Sequence, residues 1–90
     1  MLQAEYTRQF KKDFKLCEKR GLKMEEIKAV MVRLAAGERL EPKFRNHVLK
    51  GEYAGHGECH IRPDWLILYL KQESRNAIVF VRTGTHSDLF

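Results

Sequence analysis

Cysteine is scarce in this chain of 90 residues: Cys17 and Cys59 stand far apart, with no CxxC pairing. That excludes the disulfide framework by which small secreted domains compensate for a thin core. Long apolar runs are missing too. The longest, "WLILYL" and "AIVFV", fall far short of the ~20 residues that cross a bilayer. The opening "MLQAEYTRQFKKDFK" carries no apolar signal segment, so a cytoplasmic protein without a membrane partner is expected. There is no repeat, low-complexity tract or linker, and residues 1–90 read as a single domain. His47, His56, His60 and His86 show no zinc-like spacing, so neither a metal nor any cofactor is expected.

What the chain does have is positive charge. Lys and Arg number 17 against 12 Asp and Glu, a net +5 that suits a polyanionic partner. A hydrophobic share of 43% excludes disorder. "LQAEY" is a short first strand, and Thr7 then supplies an N-cap for a helix running to about Arg20. Phe10, Phe14 and Cys17 form its apolar stripe, Lys11, Lys12, Lys15 and Lys19 fill the remaining surface, and Gly21 ends it. Cys17 on that stripe reads as a small core residue. Met24, Ile27, Met31 and Leu34 mark a second helix, stopped by Gly37, and the short connection makes the pair an antiparallel hairpin. From Glu38 to Gly51 the periodicity is lost and a loop is expected. Beyond it "ECHI" alternates, "RPDW" has turn chemistry, and "AIVFVRT" is a final strand. "WLILYLK" is apolar on both parities, which predicts a central strand covered on both faces. The expected fold is α+β, in the order β-α-α-β-β-β, with the helical hairpin packed on a mostly antiparallel sheet of about four strands.

The unusual polar residues fall at predicted strand ends. Cys59 and His60 are adjacent and must point to opposite faces of a strand, so they cannot readily share a metal. His60 precedes the turn that holds Asp64. On the last strand Ile78, Phe80 and Arg82 share a parity, and Gly84 lets the backbone bend before His86. A meander would bring His60, Asp64, Arg82 and His86 to one region of the sheet. Each has an ordinary structural explanation alone; Trp65 and Tyr69 read as core, and His56 in "GHG" as an incidental loop residue. Together, two imidazoles, a carboxylate and a guanidinium in a basic domain suit RNA cleavage without metal. A base takes the 2′-OH proton, an acid protonates the leaving 5′-oxygen, and a cation offsets charge on the phosphate.

With the basic N-terminal hairpin, the segments "HVLKG", "ECHIRPDW" and "RTGTHSDLF" resemble the YafQ branch of the RelE/ParE superfamily of bacterial toxins, along essentially the whole chain. The resemblance implies a ribosome-dependent mRNA endonuclease held inactive by a cognate antitoxin. It implies that Arg82 stabilises the scissile phosphate, that His86 is a general acid or base, and that Phe90 holds an mRNA base. His47, His60 and Asp64 would share the remaining proton transfer and orientation. The lysines Lys11, Lys12, Lys15 and Lys19 would dock on ribosomal RNA. The rival reading is a superfamily toxin that inhibits a protein target such as gyrase without RNA chemistry. Fold alone does not separate the two; the histidine and aspartate set favours the nuclease.

Overall fold

A computed structural model describes residues 1–90. Thr7 acts at the first corner of the fold. Its hydroxyl accepts from the Phe10 N–H at 2.9 Å and donates to the Val81 carbonyl at 2.8 Å. The residue thus caps a helix and ties that helix to a strand more than seventy positions later. Strand β1 (Gln3–Tyr6) precedes it, helix α1 (Arg8–Lys19) follows, and Gly21 leaves α1 with a left-handed φ of 81°. Helix α2 (Met24–Ala35) completes the hairpin.

Beyond three short 3-10 turns, at Pro42–Phe44, Gly51–Tyr53 and Glu73–Arg75, the chain continues through β2 (His47–Val48), β3 (Gly57–Arg62), β4 (Trp65–Gln72), β5 (Ala77–Gly84) and a single-turn helix α3 (His86–Leu89). The sheet has five strands in the order β1-β5-β4-β3-β2, antiparallel except for the β1–β5 pair. The architecture is the expected α+β one with a strand more than predicted. The addition, β2, lies in the segment expected to be a loop, and two residues are too few to show any periodicity.

Strand β4 is central, and its two-sided apolarity is used as predicted. Trp65, Ile67 and Tyr69 join Phe10, Cys17, Ile27, Val30, Leu34, Ile78 and Phe80 in the core beneath the helices. Leu66 and Leu68 face the other way, under Leu89, with Leu49, Tyr53 and Val81 around them. That second, thinner cluster fastens the C-terminal segment to the sheet. Burying a leucine such as Leu89 contributes about 1.5–3 kcal/mol, enough to hold one helical turn. Gly57 opens β3 opposite Tyr69 of the helix-side core. A Cβ there would lie 2.2 Å from the Tyr69 ring, and Tyr69 in that space donates its hydroxyl to Asn46, the residue before β2.

Candidate active site

Register builds the site. His47 on β2 lies opposite Glu58 on β3, Glu58 opposite Leu68 on β4, and Leu68 opposite Arg82 on β5. Residues directly opposite share a face, so this row crosses four strands on the side away from the hairpin. The next row is His60, Leu66 and Gly84. Cys59, between Glu58 and His60, points into the helix-side core, as the alternation of side chains requires.

Arg82 departs from the expected parity. Ile78 and Phe80 are in the helix-side core, yet Arg82 pairs with Leu68 of the opposite cluster. The register between β4 and β5 slips where Leu68 faces Arg82 and Tyr69 faces Phe80, leaving Val81 as an extra residue. Such a bulge re-aims the side chains beyond it, and here it carries the arginine onto the histidine face.

Glu58 is nearly buried and stands between two imidazoles. Its Oε1 lies 3.2 Å from His60 Nε2 and 3.4 Å from His47 Nε2. His47 Nδ1 donates to the Arg45 carbonyl at 2.5 Å, which fixes that tautomer because a carbonyl only accepts. Arg45 and Asn76 are the non-glycine residues with positive φ; Arg45, at 46°, forms the left-handed corner that turns the chain into β2.

His86 is set by Asp64 from the β3–β4 turn. One carboxylate oxygen accepts the His86 backbone N–H at 3.0 Å and ring Nδ1–H at 2.7 Å. Those two hydrogen bonds, the backbone one first, hold the Asp64 carboxyl below its usual range. Donation from Nδ1 leaves Nε2 as the free nitrogen of an exposed ring, whose centroid is 5.6 Å from that of His60. The bend that delivers His86 depends on Gly84. Its φ is 155°, and a Cβ there would come within 2.7 Å of the Asp88 carboxylate. Asp88 in turn closes a capping box with Thr85 and pairs with Arg20 at 2.6 Å, so α3 is tied back to the end of α1.

Arg82 is clasped by Asp13 of α1. Nε and Nη2 donate to the two carboxylate oxygens at 2.9 and 3.0 Å. With the Tyr53 hydroxyl nearby, this carboxylate raises the Arg82 pKa further. Phe90 is 63% exposed and stands edge-on to Tyr53, 5.9 Å between centroids, with His56 on another side of the same tyrosine at 5.7 Å. His56, expected to be incidental, packs edge-on to this tyrosine.

The structure thus brings His47, His60, Asp64, Arg82 and His86 to one face. Lys11, Lys12, Lys15 and Lys19 are exposed along α1, apart from these groups in sequence and on a different element. Sequence reasoning overlooked Glu58, Asp13 and Tyr53. Glu58 was open to detection, since it shares His60's parity on β3; Asp13, inside a lysine-rich helix, gave no signal. No three His, Cys, Asp or Glu side chains are grouped so as to hold a metal ion, and no helix is long and apolar enough to cross a membrane.

Residues 2–90 match the family described as the bacterial toxin of type II toxin-antitoxin system, YafQ. The Escherichia coli K12 mRNA interferase toxin YafQ is 36% identical over 87 residues, which is 96% of this chain and 92% of that protein. A metal-bound toxin from Helicobacter pylori superposes with a TM-score of 0.94 at 38% identity, over the full length of both chains. The E. coli DinJ–YafQ complex gives a TM-score of 0.91 at 34% identity, covering 100% of this chain and 99% of that one. With a sheet, a histidine face and a C-terminal turn assembled as above, this chain belongs to the YafQ family of type II toxin–antitoxin toxins.

Proposed function

We propose that this protein is a ribosome-dependent endoribonuclease that cleaves translated mRNA by general acid–base catalysis and is held in check by a cognate antitoxin. The observation that carries the reading is the convergence of three imidazoles, two orienting carboxylates and one guanidinium on a single sheet face. The family relative from E. coli bears the name mRNA interferase toxin and has been solved in complex with DinJ, which supports both the activity and the partner.

In this mechanism an imidazole removes the proton of an mRNA 2′-OH, and the 2′-oxygen attacks the adjacent phosphorus. The P–O5′ bond breaks, and a second imidazole protonates the departing 5′-oxygen. The products are a 2′,3′-cyclic phosphate and a 5′-hydroxyl. His86, with Asp64 on Nδ1 and Nε2 free, and His60, with Glu58 on Nε2, are the two groups close enough to divide these roles; His47 buttresses Glu58. Arg82 offsets the charge on the non-bridging oxygens, and Phe90 with Tyr53 stacks on a base of the message. The ribosome supplies a message already held near in-line geometry, a large share of the rate in a small open site. Lys11, Lys12, Lys15 and Lys19 dock on ribosomal RNA.

Primer extension on a reporter mRNA in a translation extract tests this. New 5′-ends should appear with the wild-type protein only when ribosomes are present and engaged, and cognate antitoxin should abolish them. Slow cleavage of a model RNA should persist in excess EDTA; since the H. pylori relative was solved metal-bound, restoration of lost activity by one divalent ion would overturn the metal-free mechanism. Growth arrest with intact mRNA would instead support a protein-inhibiting toxin.

A further inference from the structure

Asp13 is the one buried carboxylate on a helix whose surface is otherwise largely basic, with 6% of its area exposed. It is fully engaged. Oδ1 accepts from Gln9 Nε2 at 3.0 Å and Arg82 Nη2 at 3.0 Å, while Oδ2 accepts from Arg82 Nε at 2.9 Å and the Thr83 N–H at 3.2 Å. Thr83 needs an acceptor because β1 pairs only as far as Phe80 and leaves the end of β5 open on that side. A neutral side chain could serve Thr83; a carboxylate is needed only for the arginine. Of the five guanidinium N–H groups, the two on the side-on edge go to Asp13. The three left include the pair on the end-on edge, between Nη1 and Nη2, with the right separation for two phosphate oxygens.

We infer that Asp13 is a positioning residue for RNA cleavage: it holds the side-on edge of Arg82 so that the end-on edge meets the scissile phosphate. The inference rests on the endonuclease reading above. Locking the guanidinium beforehand spares its ordering during the reaction, and a misplaced cation costs rate even when binding is unaltered. Asp13 also lowers the net charge beside the phosphate, so its effect must appear in turnover and not as extra affinity.

Single-turnover cleavage of ribosome-bound mRNA by wild type, Asp13→Asn, Arg82→Ala and the double variant is the test. Asp13→Asn should lower the saturating rate by about 10-fold or more, while half-saturation changes by less than about 2-fold. The double variant should cleave no more slowly than Arg82→Ala, because Asp13 acts through that arginine. An unchanged rate for Asp13→Asn, or losses that multiply in the double variant, would overturn the proposal. Should Asp13→Asn fail to fold, nitrogen-15 spectra of the wild-type Arg82 side chain with a 2′-deoxy RNA oligonucleotide decide instead. Persistence of the slowly exchanging Nε–H, with shifts confined to the Nη signals, is expected; loss of the Nε–H signal would show phosphate displacing Asp13 and refute it. Absence of cleavage by the wild-type protein would refute the nuclease reading and with it the positioning role, whereas cleavage by the wild type with an unchanged Asp13→Asn rate would refute the positioning role alone.

Discussion

At the scale of single residues, the site depends on which group orients which imidazole. Asp64 spends one oxygen on both the backbone and the ring of His86, so Asp64→Asn should leave His86 in place but less firmly oriented, with cleavage reduced less than by loss of the histidine itself. Glu58→Gln should also slow cleavage, and by more than His47→Ala, since Glu58 contacts His60 as well as His47; single-turnover rates of the two variants check the order. The cysteines lie outside this chemistry. Burial pushes the Cys59 thiol up to about 12 and raises Cys17 as well. Both should resist alkylation at pH 8 in the native protein and react at once in denaturant, as a thiol-counting assay with and without guanidinium would show. His60, Asp64 and His86 were legible because they sit beside turns at the ends of largely apolar strands. Glu58 was not recognised, because a glutamate at the start of a glycine-flanked strand resembles a solvent-facing residue. Its place between two histidines comes from strand pairing, which sets His47 opposite it.

At the scale of elements, α3 is where local sequence and the proposed chemistry meet. Thr85 and Asp88 have the spacing of a capping box, and Leu89 enters the second core cluster. The Asp88 carboxyl is held well below its usual range, chiefly by Arg20 and then by the Thr85 backbone. A depressed folded value contributes stability that is complete above the unfolded carboxylate value near ~3.9 and is lost as pH falls through the folded one. Wild type should therefore melt above Asp88→Asn at pH 7, and the gap should close toward pH 2; a gap that widened in acid would contradict the pairing. Leu89→Ala should cost roughly 2–4 kcal/mol at most, with cleavage falling because His86 loses its platform, as denaturant melts and rates together would show. The longer elements were readable from periodicity and caps. The bulge at Val81 was not, because a one-residue slip is settled by pairing between strands and leaves no trace in composition. Its consequence is large: without it Arg82 would follow Ile78 and Phe80 into the helix-side core.

For the molecule as a whole, the sheet separates two tasks. One face is packed under the hairpin and supplies most of the core; the other bears a thin apolar cluster and the histidine row. The hairpin exposes Lys11, Lys12, Lys15 and Lys19. Reversing several of these to glutamate should weaken ribosome binding and flatten its salt dependence without altering the melt, and a salt series of ribosome affinities would show it. Unchanged affinity would make those lysines merely a solvated face. Acid–base cleavage at the histidine face is tested most directly by single-turnover cleavage of ribosome-bound mRNA by folded His86→Ala. The rate should fall by about 10²–10⁴-fold, the usual worth of a general acid or base, while ribosome and antitoxin binding remain near normal. A variant that melts like the wild type and cleaves at a near-normal rate would contradict it.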